Sequence, residues 1–290
     1  MVEGRSRRQR RRRLAGQIVV VTGAGVGIGR CTAIQLARAG ATVVVAARDE
    51  GCLRELAAEQ HGVIPHAADL TEDDARVGLV DRTLAEFGQI DVLVNNLGVG
   101  WTGPFEHMDL AQLRRLTETN LVAPMDMTRL VLDGMLARHA GDVVLVASAG
   151  SWFSMPPLTA YCATKYGVEG FAEGLRREVL NRGVRVHSIH PGPVRTQFAA
   201  RSAGEVPGDI AGPPRPGPGV DPRYVAAAIE RVLTRPGAHM VTVPRVLGVT
   251  RLVKLPPLQQ AADRVVGLMG ARLARSGRRL AKRAAGPFAV

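Results

Sequence analysis

Tyr161 and Lys165 stand four residues apart in a stretch of helical pattern, which puts both on one face a turn apart. A phenol with a pKa of about 10 is a poor acid–base catalyst at neutral pH, but an ammonium group held beside it favours the phenolate and lowers that pKa. The pair therefore reads as a proton donor and its tuner. Upstream, at the end of a β-branched run, Ser148 offers a hydroxyl that can hold a substrate oxygen as charge develops on it.

A second constellation lies near the amino end. Thr22-Gly23-Ala24-Gly25-Val26-Gly27-Ile28-Gly29 follows the apolar run Ile18 to Val21 and opens a helical pattern. Glycines let the backbone turn tightly and approach a pyrophosphate, whose charge then meets the free N–H groups of a helix start. Strand, loop and helix come in the order that dinucleotide binding requires. The next strand ends at Ala47, Arg48 and Asp49. An arginine at that tip accommodates a ribose 2′-phosphate and an acid binds the 2′-hydroxyl. Arg48 thus favours NADP(H) over NAD(H); the alternative is that Asp49 takes the ribose and Arg48 is a solvated charge.

These residues need a scaffold, and the hydrophobic pattern supplies one. Short runs at 18–21, 42–46, 63–66, 91–94, 142–147, 184–189 and 239–243 predict seven strands. Helical periodicity covers about 28–39, 50–59, 72–87, 110–138, 160–181 and 223–233. Such alternation predicts an α/β, doubly wound parallel seven-stranded sheet in a single domain spanning 14–250. Thr71 followed by Asp74 resembles a capping box, Asp221-Pro222 supplies a cap with proline behind it, and Gly40, Gly88, Gly141 and Gly183 stand where helices should stop. The Pro/Gly-rich loop 199–220, whose Gly204 to Gly219 reads GEVPGDIAGPPRPGPG, is too rich in proline and glycine for a regular element. It is either a lid over a substrate or a solvated loop.

On these motifs the chain resembles the short-chain dehydrogenases/reductases, a Rossmann-fold family, over roughly residues 15 to 245. Gly23, Gly27, Ile28 and Gly29 match its TGxxxGIG loop; Asp69 and Leu70 match the acidic position beside the adenine. Asn95-Asn96-Leu97-Gly98 resembles its NNAG segment, with Leu97 in place of a small alanine. Asn120 matches the asparagine that holds a water linking the lysine to solvent, and Ser148, Tyr161 and Lys165 match the other catalytic residues. Pro191-Gly192-Pro193-Val194-Arg195-Thr196 is similar to the PGxVxT segment against the nicotinamide. The resemblance implies hydride transfer between nicotinamide C4 and a carbonyl or carbinol carbon. Tyr161 would exchange the proton, Lys165 would bind the ribose, Ser148 would orient the oxygen and Asn120 would complete a proton relay. A homodimer or homotetramer is the expected assembly.

The rest of the 290 residues qualifies this reading. The net charge of +12 sits at the ends: seven Arg against Glu3 in 1–13, and nine Lys or Arg against Asp263 in 251–290, which leaves the body near neutral. The arm 1–13 reads as disordered. From Leu258 to Leu280, Ala262, Val265, Val266, Met269, Leu273 and Leu280 recur at helical spacing among arginines. A basic amphipathic helix of this kind either lies on an anionic membrane surface or packs on the body or a second subunit. Three cysteines without CxxC spacing, and histidines without HExxH, give no disulfide framework and no metal site and fit a cytoplasmic setting. His187 and His190 read as structural histidines of a strand. The loops that should face substrate hold Val99, Trp101, Phe105, Trp152, Phe153, Met155, Pro156, Pro157 and Phe198, a lining suited to a steroid, retinoid or fatty-acyl alcohol or ketone. A 3-oxoacyl-thioester reductase is the rival enzyme. A non-catalytic nucleotide-sensing or nucleic-acid-binding protein is the rival from another class, disfavoured because no aromatics interleave the basic residues.

Overall fold

The computed structural model describes residues 14–198, 200, 202–204, 219–235, 237, 239–254 and 258–259. The arginine arm, most of the Gly204 to Gly219 stretch and nearly all of the Leu258 to Leu280 segment lie outside the described residues.

Valine dominates the central strands because a parallel sheet covered on both faces buries side chains on both. β1 (Ile18–Thr22), β2 (Thr42–Ala47), β3 (Val63–Ala67), β4 (Val92–Asn95), β5 (Gly141–Val146), β6 (Val184–Pro191) and β7 (Met240–Val243) form one sheet in the order β3-β2-β1-β4-β5-β6-β7. All pairs are parallel, with Val20 opposite Val44 and Leu93, and Val146 opposite Ile189. Helices α1 (Gly27–Arg38), α2 (Glu50–Glu59) and α7 (Pro222–Thr234) cover one face. Helices α3 (Asp73–Phe87), α5 (Ala123–Ala137) and α6 (Thr159–Glu178) cover the other. Between β1 and β4 the strand order reverses, and ligands of such sheets bind in the crevice beyond the strand tips at that point. Leu97 packs into the core on the α5 side, so its bulk is directed away from the glycine loop. Among the described residues no helix is long and apolar enough to cross a membrane.

Local signals succeed and fail for identifiable reasons. Asp221 caps α7 through Arg223 N, with Pro222 behind it, and Gly88 ends α3 in the left-handed region at φ 77°. The expected Thr71–Asp74 capping box does not form. Asp69 instead accepts from the Thr71 N–H and hydroxyl, and Glu72 precedes α3 without a side-chain cap. Gly141 is no helix stop: His139 makes the left-handed turn at φ 52° and Gly141 opens β5. The single helix expected over 110–138 is two. α4 (Leu110–Thr117) and α5 are joined by a π-helical turn, Glu118–Val122. Pro124 has no N–H to give the carbonyl of Asn120, so the α-helical ladder opens there.

Candidate active site

The glycine loop is a cradle that side chains would fill. A Cβ on Gly29 would lie 2.4 Å from the Gly23 carbonyl oxygen and 2.6 Å from Asn96 Nδ2; one on Gly23, at φ 66°, would lie 2.8 Å from Leu97 Cα. Bare backbone is therefore the only occupant the loop tolerates. It leads into α1, whose first turn carries no acidic residue, so the positive end of the helix dipole is left for an anion. Thr22 and Asn96 brace the loop. Thr22 Oγ1 accepts from Asn96 N and Leu97 N at 3.1 Å, and Asn96 Nδ2 donates to the carbonyls of Thr22 and Gly23 at 3.0 Å.

The surrounding residues named from sequence divide into rim and support. Gly25 packs beside Ala47 at the end of β2, and Gly27 meets the Thr196 methyl; Ile28 and Val194 pack on the same core, while Pro191 and Gly192 lie against Val243 and Leu247. Arg48 reaches out at the β2 tip, its Nη1 3.8 Å from Asp69 Oδ2. Asp49 caps α2 by accepting from Cys52 N at 3.1 Å. Burial alone would raise the Asp69 carboxyl, but the bonds from Thr71 and the charges of Arg48 and Arg115 hold it below the usual range. Leu70 is buried, its carbonyl held by Arg76 Nη1 at 2.9 Å. Asn95 corrects an expectation. Its amide is turned into α5, where Nδ2 donates to Thr128 Oγ1 and the Pro124 carbonyl, and Asn96 is the residue that serves the loop.

Opposite the cradle, α6 presents Tyr161 and Lys165 on the face turned to β5. Lys165 Nζ donates to the Val146 carbonyl at 3.1 Å and lies 5.9 Å from the Tyr161 ring centroid. Ser148 leaves the tip of β5, accepts from Gly150 N at 3.0 Å and lies close enough to the Tyr161 phenol to influence its ionisation. Burial pushes Tyr161 up to about 12, opposed by the Ser148 hydroxyl, and pulls Lys165 down to about 8. The expected lowering of the phenol by the ammonium is not seen, because desolvation penalises both charged forms. Asn120, carried on the π turn, accepts from Val99 N at 2.8 Å and donates to Val99 O at 2.9 Å and Thr164 Oγ1 at 3.1 Å.

The short chain dehydrogenase family profile matches residues 17–206. This chain belongs to the short-chain dehydrogenase family. It is 34% identical to dehydrogenase/reductase SDR family member 7 of Homo sapiens over 67% of this chain and 60% of that protein. It is likewise 34% identical to estradiol 17-beta-dehydrogenase 11 of Macaca fascicularis, over 66% of each. The chain spans about three fifths to two thirds of these relatives' length. Among solved structures, a short-chain dehydrogenase from Streptomyces avermitilis superposes with TM-score 0.75 at 30% identity, covering 85% of this chain and 94% of that one. A metagenomic short-chain oxidoreductase in complex with NADP gives 0.67 at 31%, covering 80% and 98%.

In this family member the loops beyond β4 and β6 close on each other. Trp101 bridges to Ala203, Thr102 N donates to Ala203 O at 2.9 Å, and Ala203 N donates to Gly100 O at 3.0 Å. Trp101 is fully buried and donates to Gln112 Oε1, so it holds the loop rather than lining a pocket. Trp152 is likewise buried, its ring tilted by 37° against His190 with 3.7 Å between centroids. Phe198, more than a third exposed, stands edge-on to Tyr161 with 5.9 Å between ring centroids. Sequence reading missed Glu169, on the face of α6 that bears Tyr161 and Lys165. Its spacing of four beyond Lys165 was the available signal.

Proposed function

We propose that this chain is an NADP(H)-dependent oxidoreductase that interconverts the carbonyl and alcohol of a lipophilic substrate, with Tyr161 as the acid/base. The observation that carries the reading is the convergence of Ser148 at the tip of β5 with Tyr161 and, one turn further along α6, Lys165, whose Nζ is 5.9 Å from the Tyr161 ring and bonded to the Val146 carbonyl. The glycine cradle, the α1 start and the tip of β2 fit a dinucleotide, held by Gly23, Gly27 and Gly29 at the pyrophosphate and by Lys165 and Thr196 towards the nicotinamide. When bound, that group supplies or takes up the hydride. Arg48 supports a 2′-phosphate, because the Asp49 carboxylate is engaged in capping α2.

Ser148 donates to the substrate oxygen and fixes it beside the phenol. Tyr161, kept neutral by its desolvated setting, gives its proton to that oxygen as charge builds on it. Lys165 places a cation near the phenolate left behind. Phe198 and the loop after β4 exclude water from the carbonyl. Likeness to estradiol 17-beta-dehydrogenase 11 supports a lipophilic substrate. A second reading, reduction of a 3-oxoacyl thioester, draws on a TM-score of 0.70 at 26% identity to a 3-ketoacyl-(acyl-carrier-protein) reductase from Brucella melitensis complexed with NADH.

NADPH oxidation across lipophilic ketones and 3-oxoacyl thioesters separates the two readings. Tyr161→Phe should abolish turnover and leave NADPH affinity nearly intact. Undiminished turnover in that variant would overturn the assignment.

A further inference from the structure

The β5–β6 ladder runs out just where the chemistry begins. Ala147 N donates to Ile189 O at 2.8 Å, and beyond it Ser148 turns away from the sheet. A side chain takes over from the backbone at that point: His190 Nδ1 lies 3.1 Å from the Ser148 carbonyl oxygen. The same imidazole presents Nε2 to Glu169 Oε2 at 3.0 Å. His190 is fully buried and Glu169 nearly so, at 0% and 11% side-chain exposure. Glu169 follows Tyr161 and Lys165 at spacings of four, so one ring touches both the serine and the helix that carries the phenol.

We propose that His190 and Glu169 are positioning residues that brace Ser148 against α6 and so set the reach from the serine hydroxyl to Tyr161. The proposal rests on the reading of Ser148 and Tyr161 as the reacting pair. A carbonyl oxygen can only accept, so Nδ1 must carry a proton. Nε2 faces Glu169 Oε2 at 3.0 Å, and a proton shared by the pair keeps it neutral overall, the condition under which a buried carboxylate is tolerated. Trp152 closes one face of the imidazole and carries Arg251, 4.3 Å above its own ring, so water is kept from the brace and Arg251 is the further charge facing it.

The two arms can be cut separately, because asparagine places its amide where Nδ1 stood and glutamine where Nε2 stood. With phenanthrenequinone and NADPH as probes, Glu169→Gln, which keeps both contacts, should keep kcat within about threefold of wild type. His190→Asn, His190→Gln and Glu169→Leu each cut one arm and should lose about tenfold or more, since small displacements of reacting groups are costly. The KM for NADPH should stay constant in all four. A merely structural role would make kcat follow thermal stability, and wild-type kcat in His190→Asn, His190→Gln or Glu169→Leu would overturn the brace. Nitrogen NMR of labelled histidine supplies a readout independent of activity. It should find Nδ1 of His190 protonated, and an unprotonated Nδ1 would also overturn it. Were wild type inert towards every carbonyl probe, the functional reading would fall, and the NMR result would still decide the brace.

Discussion

Asn120 grips the Val99 peptide at both ends, accepting from its N–H at 2.8 Å and donating to its carbonyl at 2.9 Å. The grip ties the π turn to the loop after β4 in the way a ladder pair ties two strands. Asn120→Ala leaves a buried N–H and a buried carbonyl without partners, at a cost of about 1–3 kcal/mol. Urea unfolding should register that loss. Turnover should fall by about tenfold or more, because Val99 packs in the same apolar cluster as Tyr161.

Lys165 and Tyr161 make stability depend on pH in opposite directions. The Lys165 ammonium titrates at about 8 when folded against 10.5 when unfolded, so the unfolded chain binds more protons between those values. Stability therefore rises with pH through that window, by on the order of 3 kcal/mol, and the gain is lost as pH falls through about 8. Tyr161 titrates at about 12 when folded against 10.0 when unfolded, so stability falls as pH climbs from 10 to 12. Denaturant midpoints should thus climb above pH 8 and turn over near 10. Lys165→Met should flatten the climb and leave the fall.

Arg76 joins two parts of the site that are distant in sequence. Its buried guanidinium donates to the Leu70 carbonyl at 2.9 Å, to Glu118 at 3.1 Å, to Asp126 at 2.7 Å and to Asp73. Burial works against that charge, but the three carboxylates keep its pKa above the usual value. Arg76→Met takes the cation from Glu118 and leaves Asp126 with Arg129 alone, and should cost about 1–3 kcal/mol, read as a shift in the urea midpoint. Because Glu118 opens the π turn, kcat should fall along with stability.

Much of this was legible in the sequence. Periods of two and 3.6 mark elements whose burial is one-dimensional, so valine runs located all seven strands. Spacing of four placed Tyr161 and Lys165, because a helix fixes that geometry whatever surrounds it. What failed depends on contacts between distant residues. The apolar stripe continues through Glu118–Val122, so periodicity alone hides the π turn that presents Asn120, and only Pro124 hints at it. Trp101 reads as a pocket aromatic until its bridge to Ala203 and its bond to Gln112 show it packed inside. The His190–Glu169 pair joins a strand to a helix, a relation no local spacing encodes.

The proposed preference for NADP(H) rests on Arg48 and can be tested by charge alone. Its guanidinium is exposed and its nearest acid, Asp69 at 3.8 Å, is already held by Thr71, so the pair adds little to stability. A 2′-phosphate at the β2 tip would recruit that guanidinium, whereas an acid there would repel it. Arg48→Asp should lower kcat/KM with NADPH by about tenfold or more and raise it with NADH. Its melting temperature should stay within about 2 °C of wild type, since surface substitutions rarely exceed about 0.5 kcal/mol. Equal loss with both cofactors would mean that Arg48 shapes the tip without reading the phosphate. The preference would then have to come from a residue elsewhere around the ribose.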